Sequence, residues 1–246
     1  WQGAALACAQ THKALGLRRK DRRPLETDSL PFSRIFVYGA QVIGVPLPEV
    51  YLQPEQPGEI LPANCEEKGA LVPSFVVRAG MLQARPEKEL AFVCAKQLSY
   101  LRPEHYLKMV LQTNTDLKAV FISALLLVQP QFPVKPELVP AVEKWLPSIR
   151  ERVHPKWQEQ LHLVVKRFLG MAGDVDLVRW GNAIEATGNR VGLLVCGDLD
   201  VAARLVSLEP GQVGGPSTKD KIKDLVLYSI SEEYFAARSH LGTVIG

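Results

Sequence analysis

The chain has 246 residues, of which 47% are hydrophobic and 22% charged, so it can bury the core of one large domain or two small ones. Its formal net charge of +3 is too small to indicate a nucleic-acid-binding protein. The longest apolar run, residues 119–128, is about half as long as a helical membrane span requires.

Two helices and a basic segment are predicted at the start of the chain. Residues 1–15 are alanine-rich and predict a helix, and residues 29–43 predict a second helix with Pro31 in its first turn. The basic residues 18–23 between them favour a solvated linker over a polyanion site. Two helices joined in this way are compatible with the end of a helical-repeat array of the tetratricopeptide type, although two units do not establish a period.

Three short strands are predicted next. Residues 49–53, 59–65 and 70–77 are rich in Val, Leu, Ile, Tyr and Phe, and the turn sequences PEQPG and EEKG separate them. After residue 85 the sequence favours helices to its end. We therefore expect an α+β fold that is predominantly helical, with a small antiparallel sheet packed on a helical core.

The helical part divides at its prolines and capping residues. Pro86 begins a helix that ends before Pro103, and Ser217 with Asp220 and Ser229 with Glu232 resemble capping boxes that begin two closing helices. Further helices are predicted at residues 114–128, 137–152, 155–170, 174–195 and 199–208. The closing segment has an apolar face that we expect to pack on the rest of the chain.

The cysteines bear on the compartment. Cys8, Cys65, Cys94 and Cys196 lie far apart and form no CxxC pair, so the sequence favours free thiols in a reducing compartment, and we expect a cytoplasmic protein. The sequence opens on Trp1 without a signal peptide or an initiator methionine, so we expect a piece of a longer protein.

The helix predicted after Pro86 has the spacing of a zinc-binding helix without its ligands. In the pattern HExxH, two imidazoles one turn apart bind the metal and the glutamate activates water. The three functional positions are occupied here by Lys96, Gln97 and Tyr100. An ammonium has no free lone pair, an amide is too weakly basic to accept a proton from water, and a phenol is mostly protonated at neutral pH. We therefore expect neither catalytic residues nor a bound metal or other cofactor.

A second motif relates the spacing of this helix to a known protein family. Residues 185–193 read EATGNRVGL, which resembles the ExxADRxGL motif of gluzincin metallopeptidases of the CAAX-protease and heat-shock-protease type. In that family the glutamate is the third zinc ligand, and Glu185 matches it, whereas Gly188 and Asn189 stand where alanine and aspartate are usual. The strand sequence ALVPSFVV is also similar to the edge strand that precedes the family's zinc-binding helix. The resemblance covers about residues 29–208.

The resemblance implies a degenerate, zincin-like peptidase domain over residues 29–210, preceded by a helical segment and linker at 1–28 and followed by packing helices at 211–246. It implies a catalytically inactive pseudopeptidase that serves as a protein-binding or scaffolding module. The partner is expected to be a protein rather than a nucleic acid, and the oligomeric state stays open.

The same resemblance makes Lys96, Gln97, Tyr100 and Glu185 vestigial zinc-site positions. The Lys96 ammonium would then face Glu185 in place of the metal; alternatively, Lys96 extends into solvent and Glu185 binds Arg190 or a helix terminus. Tyr100 would fill the space of the second imidazole. Gln97 would hydrogen-bond a peptide in the former groove or lie on the surface.

A different class of function also stays open. An enzyme with a rebuilt cleft around Lys96, Tyr100 and Glu185 would use the lysine as a base or to form a Schiff base. A neighbouring carboxylate disfavours this alternative because it favours the protonated ammonium.

Overall fold

The computed structural model describes residues 1–111, 113–171, 175–211 and 215–242. Within these residues the chain forms four strands and twelve α-helices. The strands are β1 (Arg22–Arg23), β2 (Glu49–Gln53), β3 (Ile60–Glu67) and β4 (Ala70–Arg78). The helices are α1 (Gln2–Ala7), α2 (Pro31–Ile43), α3 (Ala79–Leu82), α4 (Glu87–Ser99), α5 (Tyr106–Val110), α6 (Asn114–Val128), α7 (Val139–Arg152), α8 (Pro155–Gly170), α9 (Leu177–Cys196), α10 (Leu199–Leu208), α11 (Thr218–Ser229) and α12 (Glu232–His240).

The fold is α+β and predominantly helical, as the sequence predicts. The small sheet is mixed rather than antiparallel, with the strand order β1-β2-β4-β3. β3 and β4 form a hairpin whose turn residues Lys68 and Gly69 both have positive φ, which matches the twist of the strands. β3 runs opposite to β2, and β4 runs opposite to β3. β4 therefore has the same direction as β2 and pairs with it in parallel.

The position of β4 differs from the expected edge strand. β4 lies between β2 and β3 and is bonded on both sides, and its residues Ser74, Phe75, Val76 and Val77 are all buried. A strand buried on both faces reads as a continuous apolar run, which is why ALVPSFVV lacks the alternation of a half-exposed edge. The edge-strand part of the expectation was therefore wrong.

One face of the sheet carries the main hydrophobic core. Phe36 of α2 contacts Phe75 of β4 edge to face, with ring centroids 5.8 Å apart. Cys94 and Leu98 of α4 belong to the same buried cluster. Fully burying an aliphatic or aromatic side chain stabilises a fold by about 1.5–3 kcal/mol, so this layer holds α4 firmly against the sheet.

α9 packs along the side of α4 through two glycines. A Cβ atom added at Gly192 would lie 2.8 Å from the ring of Phe92. A Cβ atom added at Gly188 would lie 3.2 Å from the hydroxyl oxygen of Tyr100. Small residues one turn apart therefore let the two helices approach closely, and this contact positions the site described below.

The first 28 residues pack on the remainder of the chain. α1 ends at Ala7, well before residue 15, because the side-chain amide of Asn64 donates to the carbonyl of Ala5 and Gln10 bonds along β3. The expected basic linker contributes the short strand β1, and Arg22 forms an ion pair of 2.7 Å with Glu49. The proposed division at residue 28 stays a prediction.

The remaining boundaries agree closely with the sequence for β2, α8 and α10, and the capping box of Ser217 and Asp220 begins α11. Ser229 does not begin the last helix. It is the final residue of α11, and Ser231 caps α12 by accepting a hydrogen bond from the backbone nitrogen of Tyr234. The predicted start of α9 at residue 174 lies outside the described residues.

Across the residues that the structure describes, helices that combine the length and the apolar character of a membrane span do not occur.

Candidate functional site

α4 places Lys96 and Tyr100 at its C-terminal end. Glu87 and Glu89 lie in its first turn and Lys96 in its last, the arrangement that the helix dipole favours. Tyr100 follows as the residue that ends the helix. Lys96 is buried although lysine is rarely buried without a partner, so its surroundings must supply an anion.

α9 brings a carboxylate and an amide to the same place. The helix begins at Asp176, whose side chain accepts a hydrogen bond of 2.9 Å from the backbone nitrogen of Arg179. Glu185 and Asn189 lie one turn apart and are only 5% and 2% exposed. Gly188 between them faces Tyr100 and Lys96, and the charge of Glu185 acts on Tyr100, so Glu185 lies at the α4–α9 contact.

Two ion pairs organise the cluster. The ammonium of Lys221 on α11 donates to Oε1 of Glu185 at 2.5 Å, and both side chains are buried. The ammonium of Lys96 donates at 2.5 Å to Oε1 of Glu209, which follows α10 and is partly exposed. Two positive and two negative charges therefore balance, as burial of charged groups requires. We call Lys96, Tyr100, Glu185, Asn189, Glu209 and Lys221 the polar cluster.

The phenol of Tyr100 completes the electrostatics of this cluster. Burial, followed by the nearby negative charges of Glu185 and Glu209, raises the pKa of Tyr100 above its usual value. The hydroxyl therefore stays protonated at neutral pH and can donate a hydrogen bond but not act as a base.

Two buried oxygen atoms in the cluster are available as hydrogen-bond acceptors. Among the described residues, Oε2 of Glu185 and Oδ1 of Asn189 accept no hydrogen bond. A buried acceptor without a donor costs about 1–3 kcal/mol. The cluster can therefore accept hydrogen bonds from a water molecule or a donor group of a ligand.

The expected pairings were wrong, although three of the expected positions do come together. Lys96 pairs with Glu209 rather than facing Glu185 directly, and it does not extend into solvent. Glu185 pairs with Lys221 rather than with Arg190. Arg190 instead makes two hydrogen bonds to the carboxylate of Asp224, so it ties the outer surfaces of α9 and α11 together.

The side chain of Gln97 forms no hydrogen bond with the polar cluster. It is half-buried on α4, and its amide forms no side-chain hydrogen bond with the part of the chain that the structure describes. Both roles that the sequence leaves open for it, a peptide contact and a surface position, stay predictions.

The residues do not fit a zinc ion of the kind that an HExxH site binds. Of the vestigial positions only Glu185 has a metal-binding side chain, and one of its oxygens already accepts a hydrogen bond from the Lys221 ammonium. Within residues 1–111, 113–171, 175–211 and 215–242, no group of three or more His, Cys, Asp and Glu side chains is arranged to hold a metal ion.

Asn189, Glu209 and Lys221 are the three members of the cluster that the sequence did not identify as site residues, and Asn189 was noted only as a departure from the family motif. Lys221 lies on the same helical face as Leu225 and Tyr228, at spacings of four and seven residues. A lysine on an apolar face requires an anionic partner, so this pattern was a usable signal. Glu209 lies between α10 and Pro210, where nothing in the local sequence distinguishes it from a solvated residue.

No protein-family model, curated protein or solved structure matches this chain.

Proposed function

We propose that the chain is a catalytically inactive, zincin-like domain that acts as a protein-binding or scaffolding module. The observation that carries this proposal is the buried Lys221–Glu185 ion pair beside Lys96 and Tyr100. The Glu185 carboxylate, which the resemblance assigns to zinc, is bound by the Lys221 ammonium. The two positions that imidazoles occupy in the family carry the Lys96 ammonium and the protonated phenol of Tyr100. Such a set supplies neither a metal-bound water nor a general base.

An assay of peptide-bond hydrolysis tests the catalytic half of this proposal. The purified protein is incubated with an unfolded protein substrate, with and without added zinc. We expect no cleavage above the rate of the Glu185→Gln variant. Zinc-dependent cleavage by the wild type that this variant loses would refute the proposal.

The binding half rests on apolar side chains that the fold leaves exposed. Leu227 and Ile230 at the end of α11 and Phe235 on α12 are all exposed, and Leu208 is exposed at the end of α10. Exposed apolar side chains on neighbouring elements are typical of protein contact surfaces. We assign the contact with a protein partner to the α11–α12 pair.

Site-specific photo-crosslinking tests this assignment. A photoreactive residue in place of Leu227 is expected to capture one protein in cells, and Phe235→Ser is expected to abolish the capture. A photoreactive residue at Tyr38, which is also exposed but lies on α2, is the control. Equal capture from both positions, or no effect of Phe235→Ser, would contradict the assignment.

A cytoplasmic location is part of the same proposal. All four cysteines are free thiols, and Cys65, Cys94 and Cys196 are buried. Burial raises the pKa of Cys196 to about 11, so this thiol stays protonated and unreactive at neutral pH. Free thiols of this kind are typical of reducing compartments.

The alternative is an enzyme of another class that uses Lys96, Tyr100 and Glu185. The observation that favours it is that two buried acceptor atoms, on Glu185 and Asn189, have no donor, so a ligand could donate a hydrogen bond to each of them. Against it, each lysine donates to a carboxylate, and a Schiff base requires a neutral amine. Borohydride trapping of a carbonyl compound on Lys96, lost in Lys96→Met, would favour this alternative.

A further inference from the structure

A cavity of about 600 Å³ lies between α8 and the helices α1, α6, α7 and α9, away from the polar cluster. Its volume falls in the range of about 300–1,000 Å³ that is typical of small-molecule sites. The side chains that line it are uncharged and mostly apolar, and they include Trp1, Trp157 and Trp180. A cavity of this kind accepts a ligand through apolar surface rather than through ion pairs.

α8 turns an apolar face towards this cavity. Trp157, Gln160, Leu161 and Val164 line it and follow the spacing of one helical face. In α8 Val165 alone is buried, and Val164 remains 65% exposed. An apolar face exposed in this way makes fewer close atomic contacts than a packed interior does, so a ligand with an apolar body would add such contacts.

A second cavity of about 370 Å³ adjoins the first and has a different character. The two share the side chains of Leu127, Val153 and Leu161 as a common wall. The smaller cavity is also lined by Arg150 and His162. Arg150 is exposed and forms no ion pair with any residue that the structure describes, so its guanidinium is available to an anion.

We propose that the two cavities together bind a free long-chain fatty acid, with the acyl chain in the larger cavity and the carboxylate on Arg150 in the smaller one. Complementary polarity carries this assignment: a chamber whose side chains are uncharged and mostly apolar continues into one that presents a guanidinium. A guanidinium binds a carboxylate through two parallel hydrogen bonds, which fixes the orientation of the ligand. This site shares no residue with the polar cluster, so a failure of the fatty-acid proposal would leave the proposed function untouched, and the reverse also holds.

Tryptophan fluorescence provides the test, because three of the four tryptophans line the larger cavity. The protein is titrated with 12-bromododecanoate, whose bromine quenches indoles in contact with it. We expect saturable quenching with one ligand per chain. Arg150→Gln is expected to weaken binding about tenfold, the loss of one hydrogen bond to a charged group. The uncharged 1-bromododecane is expected to bind the wild type and Arg150→Gln equally.

Two further variants separate the cavity from the surface. Ala124 lines the larger cavity, so Ala124→Phe, which fills space without adding an indole, is expected to abolish quenching and Ala124→Leu to weaken it, with the helical circular dichroism of both unchanged. Arg167→Gln, which removes an exposed charge of α8 that lines neither cavity, is the matched control and is expected to bind as the wild type does. Absent or non-saturable quenching, or wild-type affinity in a folded Ala124→Phe or Arg150→Gln variant, would overturn the proposal.

Discussion

The ammonium of Lys221 and the carboxylate of Glu185 lie 2.5 Å apart and are both almost completely buried. Taking two charges out of water costs several kcal/mol for each ion, and their attraction offsets this only while both are present. The pair as a whole therefore contributes little net stability, whereas either charge alone would destabilise the fold. This asymmetry explains why the two residues are best tested together.

We expect Lys221→Met to lower the free energy of unfolding by roughly 3–5 kcal/mol, because it leaves the Glu185 carboxylate buried without its partner. The double variant Lys221→Met with Glu185→Leu is expected to recover most of this loss. Urea denaturation followed by circular dichroism measures both values. Lys223→Met, which changes an exposed lysine of the same helix, is the control. A Lys221→Met variant as stable as Lys223→Met would show that the buried pair does not form.

At the scale of secondary-structure elements, close contacts between helices decide which side chains meet. α9 approaches α4 through Gly188 and Gly192, and this brings Glu185 to Tyr100. α6 and α7 are held together differently: Asp116 of α6 accepts a hydrogen bond of 2.8 Å from the indole of Trp145 on α7. It also accepts one of 2.6 Å from Thr113, which caps α6 itself. The α4–α9 contact should therefore be weakened by added side-chain volume, whereas the α6–α7 contact should be weakened by protonation of Asp116.

Gly192→Ala is expected to destabilise the protein by about 1–3 kcal/mol, because the new methyl group would lie 2.8 Å from the Phe92 ring and 3.0 Å from its carbonyl oxygen. Gly170→Ala at the end of α8 is the matched control, since an added Cβ there has no neighbour within 4 Å. The control should be neutral or stabilising by up to about 1 kcal/mol. Thermal denaturation of the two variants side by side would disprove the close approach if both behaved alike.

The hydrogen bond from Thr113, then the bond from Trp145 and the charge of Lys144, lower the pKa of Asp116 below its usual value of 3.8. The unfolded chain therefore binds more protons than the folded one in this range, so stability rises with pH there. The stabilisation is complete at pH values well above 3.8 and is lost as the pH falls through 3.8 and then through the lower folded-state pKa.

Comparison with Asp116→Asn over a range of acid pH measures this effect. The difference in unfolding free energy between the wild type and the variant should be constant above about pH 5 and shrink towards about pH 2. A difference that does not change with pH would mean that the charge of Asp116 plays no part.

At the scale of the whole molecule, contacts distant in sequence join the beginning of the chain to its middle. Ala4 of α1 belongs to a buried cluster with Val142 of α7, and Ala5 accepts a hydrogen bond from Asn64 of β3. Leu25 belongs to the main core with Phe32. The first 28 residues therefore contribute to two cores of the molecule.

Deletion of residues 1–9 is expected to lower the urea midpoint markedly and to keep unfolding cooperative, because the deletion exposes the α7 side of the second cluster. The control is deletion of residues 243–246. If the initial segment were an independent unit, as the division at residue 28 predicts, the two deletions would have equally small effects.

The sequence predicted the elements well and their partners poorly. Helix and strand boundaries depend on local signals such as Pro155 at the start of α8 and the capping box of Ser217, and these were readable. The parallel pairing of β2 with β4 and the ion pair of Lys96 with Glu209 depend on contacts between distant segments. The meeting of Lys96, Tyr100 and Glu185 was expected only through the family resemblance, and no local pattern identified Glu209.

The zinc content of the native protein tests the central claim most directly. Protein purified without chelators from zinc-supplemented cells is measured by inductively coupled plasma mass spectrometry, beside its Glu185→Gln variant. Because Lys221 binds the carboxylate that a metal would need, we expect far less than one zinc atom per chain in both proteins. One zinc atom per chain in the wild type, lost in Glu185→Gln, would contradict the account.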